Sequence, residues 1–139
     1  MSNRTPVQSI AALVGIVFLL VGVLGFIPGI TTHYSDLSFA GHDSGAKLLG
    51  IFQVSILHNI VHLLFGVVGL ALARTADGAR TFLVGGGVVY LVLWLLGVVS
   101  AGDWIPVNTA DNWLHLVLGI GMLGLGFVTG RATARTAPA

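Results

Sequence analysis

Cysteine is absent from the 139 residues, and so is glutamate. Without thiols there are no disulfides, thiolate metal sites, thiol nucleophiles or covalently attached c-type haem. Charge is scarce too: charged residues make up 8% of the chain, where a soluble domain carries about 25%. That excludes a water-facing enzyme, a nucleic-acid-binding surface and a disordered chain. The net charge of +1 marks no polyanionic partner. What the chain does have is 55% hydrophobic residues and 20 glycines, the composition of a small integral membrane protein.

The few charges divide the chain into apolar blocks. Nothing charged lies between Arg4 and Asp36, Lys47 and Arg74, Arg80 and Asp103, or Asp111 and Arg131. About 20 apolar residues cross a bilayer as a helix, so spans are expected near 9–28, 55–73, 81–101 and 111–129. The first block has one Arg before it and no cleavage site after it, and reads as an uncleaved first helix. Four spans place Arg4, Arg74, Arg80, Arg131 and Arg135 on one side and Lys47 on the other. The excess of Arg predicts cytoplasmic N- and C-termini. Asp36, Asp43, Asp103 and Asp111, with all five histidines, then fall toward the outside.

The chain also repeats itself. Phe52–Gly66 aligns with Ile105–Gly119 in a shared pattern V-[SN]-x-x-[HD]-N-x-x-H-L-x-x-G, at an offset of 53 residues. Leu24-Gly25 aligns with Leu96-Gly97 at an offset of 72. Repeat units near 7–74 and 81–130 make two tandem helical hairpins, related by a pseudo-twofold along the membrane normal. The alignment also locates helix starts. Pro106 marks an extended entry, Asn108 reads as an N-cap, and Asp111 takes the third helical position, where a carboxylate suits free N–H groups. By analogy Ser55 caps the second span, His58 takes the position of Asp111, and Ile51–Val54 is extended. The alternative is one long helix from about Lys47.

These two motifs, G-I-F-Q-V-S-I-L-H-N-I-V-H-L-L-F-G at 50–66 and V-N-T-A-D-N-W-L-H-L-V-L-G at 107–119, resemble those of a family of small four-helix membrane proteins of actinobacteria, domain of unknown function 4383. The resemblance runs from the first span to the fourth. It implies a bacterial plasma-membrane protein of the envelope and no particular activity. Its motif positions correspond to His58, Asn59, His62, Asp111, Asn112 and His115. One departure is Ser55-Ile56, where the family pattern has Asn-Pro.

Helical spacing lines up His58, His62 and Gly66 on one face of the second span, and Asp111, His115 and Gly119 on one face of the fourth. Polar groups in a bilayer turn inward, and glycine lets a neighbouring helix come close. The expectation is therefore that spans two and four meet near His62 and His115. One reading is a hydrogen-bonded clamp, with Asn59, His62, Asn112 and His115 pairing across the pseudo-twofold at about 0.6–2 kcal/mol per bond. A second is a divalent metal held by His58, His62, Asp111 and His115. A third is haem b between His62 and His115, with Gly66 and Gly119 making room. A proton relay or a His-Asp catalytic pair are further alternatives. A zinc protease is disfavoured, because Asn59 stands where that motif needs Glu.

Other features are weaker. The loop from Thr31 to Lys47 carries His33, Tyr34, Asp36, His42 and Asp43 and reads as solvated polar groups, or as a site for a cation or an envelope partner. Trp104 and Trp113 fit an interfacial belt. Tyr90 needs a hydrogen-bond partner if buried, and the histidines are candidates. Gly85-Gly86-Gly87 reads as a tight helix contact, and Gly126 with Gly130 as a packing pair. Residues 132–139 are expected to be disordered. The whole is a single all-α four-helix transmembrane domain, residues 1–139. Its leading function is a non-enzymatic structural or accessory role in the bilayer, as a homo-oligomer or within a larger membrane complex. The alternative is a metal- or haem-binding protein.

Overall fold

A computed structural model describes residues 4–41, 43–99 and 107–136, with side chains to 130. The expectations placed on His42, Trp104 and Pro106 lie outside these residues. Four helices dominate: α1 (Pro6–Leu24), α2 (Ile56–Leu72), α3 (Ala76–Val99) and α4 (Thr109–Thr136). α1, α3 and the Thr109–Gly130 part of α4 are each long and apolar enough to cross a membrane. α2 has 17 residues and rises about 26 Å, slightly less than the hydrocarbon core.

The helix starts follow local chemistry. Pro6 opens α1 at a position where its missing N–H costs nothing. The Gln8 side-chain oxygen Oε1 accepts from the Thr5 backbone N–H at 3.1 Å. The Gln8 side-chain nitrogen Nε2 donates to the carbonyl oxygens of Ala73 and Arg74, at 3.2 and 2.8 Å. That ties the start of α1 to the end of α2, whose last carbonyls lack helical partners. Ser55 caps α2 as expected, its hydroxyl accepting from His58 N–H at 3.1 Å. The Thr75 hydroxyl does the same for Gly78 N–H at 3.0 Å, at the entry to α3. α4 continues as helix to Thr136, into the segment for which disorder is expected.

The architecture is all-helical as expected, with one addition in a loop. The connection between α1 and α2 carries a small antiparallel sheet, β1 (Thr31–Thr32), β2 (Lys47–Leu48) and β3 (Phe52–Gln53), in the order β1-β2-β3. Thr31 pairs with Leu48, and Leu48 with Phe52. Gly50, at φ +72°, makes the turn between β2 and β3. A connection this long must satisfy its own backbone groups, and strand pairing does so. The chain thus enters α2 extended through β3, as Ile51–Val54 predicts, and not as a helix from Lys47. Ala46, Leu48 and Val54 form a small core beneath the sheet, against Val21 and Leu24 of α1.

In the bundle, α1 packs along α2 and α3 along α4; α1 also reaches α3 and α4, and α2 reaches α3. The main core joins Val7, Ala11 and Phe18 to Phe82, Leu83, Tyr90 and Met122. Among the described residues, α2 and α4 have no comparable packing. The expected meeting of spans two and four is therefore corrected: α1 and α3 meet at the centre, and α2 and α4 flank them.

Candidate functional site

The rings at the sheet end of the bundle form a chain of contacts. His58 stacks on His62 with centroids 4.4 Å apart. His62 meets Phe18 of α1 edge-on at 5.4 Å. Phe18 stacks on Tyr90 of α3 at 5.5 Å, and Tyr90 meets His115 of α4 at 5.4 Å. Phe18 and Tyr90 thus link His62 to His115. The two histidines are thereby brought to one region of the bundle.

Asp111 is used elsewhere. Its carboxylate accepts from the backbone N–H of Asn108 at 2.8 Å and of Gln53 at 3.2 Å. The Asn108 side-chain oxygen accepts from Asp111 N–H at 2.9 Å, closing a reciprocal cap. The Asn108 amide nitrogen donates to the carbonyl oxygen of Ile51 at 2.7 Å. These bonds staple the β2–β3 turn to the start of α4. The N-cap role is legible from the motif; the link to β3 is not, because it spans 58 residues of sequence. Among the described residues no three His or Asp groups are placed to hold a metal ion. The four-ligand metal set is corrected on that geometry: Asp111 faces backbone donors.

The asparagines also differ from expectation. Asn59 and Asn112 do not pair across the bundle. Asn59 lies against Gly25, which caps the end of α1, and Asn112 against Gly97 of α3. Asn112 Nδ2 donates to the Gly97 carbonyl oxygen at 3.4 Å. Each asparagine fills the notch that a missing Cβ leaves inside its own hairpin. Gly66 and Gly119 serve hairpins as well: Gly66 lies on Gly15 and Leu19, and Gly119 on Leu91. They bring α1 to α2 and α3 to α4, not α2 to α4. Gly86 and Gly87 make the expected close contacts, with Met122 and Leu123, while Gly85 faces open space. Gly126 and Gly130 pack within the chain, against Val84 and Arg80.

What remains at the site is space and unpartnered nitrogen. Two cavities of about 250 Å³ each flank the ring chain, and His58, His62, Tyr90 and His115 line both. His62 and His115 are buried, and the Nδ1 of each has no hydrogen-bond partner among the described residues. Sequence spacing finds these histidines but not the cavities, whose walls come from all four helices and the sheet.

No curated protein and no solved structure matches the chain. A family model does, over residues 8–128: the chain belongs to the family described as Domain of unknown function (DUF4383).

Proposed function

We propose that the chain is a four-span protein of the bacterial cell membrane with a structural or accessory role, acting through contacts with itself or with a partner in the bilayer. The observation that carries this is the belt of exposed apolar side chains around the bundle. Leu13, Leu20, Leu64, Val67, Val92, Val117 and Ile120 all face outward. Water does not tolerate so continuous an apolar surface, and lipid requires one. The ends are polarised in support. Arg4, Arg74 and Arg80 lie at the end away from the sheet, while Asp36, Asp43 and Asp111 lie at the sheet end. The Arg-rich end, with both termini, then belongs in the cytoplasm.

The two hairpins form a tandem duplication in this reading. Its support is the recurrence of contacts at the offsets of the sequence repeat. Gly25 with Asn59 corresponds to Gly97 with Asn112, and Gly15 with Gly66 corresponds to Gly87 with Gly119. Leu19 on Gly66 corresponds to Leu91 on Gly119.

The absence of cysteine makes the test clean. Asp43→Cys and Asp77→Cys each place one thiol at an exposed position on opposite ends of the bundle. A membrane-impermeant maleimide added to intact cells should label the first and not the second. The reverse pattern, or labelling of both, refutes the orientation. A photoreactive residue at Ile120 should capture a second protein chain; capture of lipid alone refutes the accessory role.

A further inference from the structure

We infer that the paired cavities around His62, Tyr90 and His115 bind a small, uncharged, flat-ringed molecule from the lipid phase, of the quinone or hydroquinone class. Five observations converge on that chemistry. The first cavity has its rim at Leu57 and Val61, both about half exposed on the outward face of α2. A ligand entering there comes through lipid. Most of the walls, such as Phe65, Leu93, Val21 and Leu118, are apolar, and the Asp111 carboxylate bordering the second cavity is held by backbone N–H groups, so an uncharged ligand fits best, since burying an unpaired charge is costly.

The unpartnered hydrogen-bonding nitrogens come from two different helices. His62 belongs to α2 and His115 to α4, and both rings border both cavities. A neutral imidazole offers one donor and one acceptor, and neither ring has a hydrogen bond to Nδ1 among the described residues. A ring with oxygens on opposite edges uses such a pair. Ser55 lines the first cavity and Asp111 the second, and the aromatic rings of His58, Phe65 and Tyr90 line the first, against which a flat ring packs favourably. Size sets the limit. About 250 Å³ per cavity is just below the roughly 300–1,000 Å³ of drug-sized pockets. That suits a one- or two-ring head group and not a macrocycle.

Entry from the bilayer rests on the membrane placement proposed above, but binding itself is measured in micelles and is indifferent to orientation. The test uses the full chain in a non-aromatic detergent, with 2-methyl-1,4-naphthoquinone as the probe and equilibrium gel filtration as the readout. Wild type should retain the quinone saturably, at about one per chain. His62→Leu and His115→Leu should each weaken retention roughly tenfold, the effect of losing one hydrogen bond. Val61→Trp narrows the lipid-facing rim and leaves the rings untouched; it should weaken retention with an unchanged melting temperature. If the histidine variants fail to fold, Val61→Trp decides alone. Equal retention by wild type and Val61→Trp overturns the inference, because it is micelle partitioning. A co-purifying phospholipid that the quinone does not displace overturns it as well.

Discussion

Asn112 donates its side-chain amide to the carbonyl oxygen of Gly97 at 3.4 Å, across the α3–α4 hairpin. A Cβ on Gly97 would run into the Asn112 side chain. Gly97→Ala should therefore destabilise the protein by about 1–3 kcal/mol, the range for overpacking a tight contact. Gly97→Ala combined with Asn112→Ala should recover part of that loss, because the clash is removed. Thermal melts of the two single variants and the double variant in detergent measure the coupling.

Neighbouring glycines make a sharper contrast. A methyl group at Gly85 would meet nothing within 4 Å, while one at Gly86 would press on Met122 and Phe65. Gly85→Ala should be neutral or stabilising by up to about 1 kcal/mol, from reduced backbone entropy in the unfolded chain. Gly86→Ala should lower the melting temperature. Equal effects at the two positions would mean that helix propensity outweighs packing here.

Asp111 is a cap and a staple. Asp111→Ala leaves the N–H groups of Asn108 and Gln53 without their acceptor and should cost about 1–2 kcal/mol. Hydrogen exchange should rise at both the start of α4 and β3. A rise confined to α4 would show that the link to Gln53 contributes nothing.

Gln8 holds the other end. Gln8→Ala removes the donor to the Ala73 and Arg74 carbonyl oxygens and should cost about 1 kcal/mol. Proteolysis at the α2–α3 turn should accelerate, while the sheet end keeps its protection.

Much of this was legible because local chemistry dictates it. Ser55 and Asn108 stand just before apolar runs, and an oxygen there meets free helix N–H groups wherever the rest of the chain goes. The glycine run at 85–87 signals close approach because a helix carries few glycines without a reason. The partners were not legible. Whether Gly66 faces α4 or α1, and whether Asn59 faces Asn112 or Gly25, depends on helix rotation and neighbour order, which a 3.6-residue period leaves open.

The amino-acid sequence by itself determined an apolar, cysteine-free chain with helical spans, their starts, and the histidines that sit near one end. Those properties follow from composition and from contacts within a few residues. Only the tertiary structure decided that α1 and α3 meet centrally, that Phe18 and Tyr90 connect His62 to His115, and that Asp111 accepts from the backbone of β3. It also decided that cavities open beside the rings. The physical reason is that hydropathy tells a helix to enter lipid but not which helix to face, since lipid tails and leucines are equally apolar. Small-residue notches and buried hydrogen bonds make that choice, and they exist only once distant segments are in place.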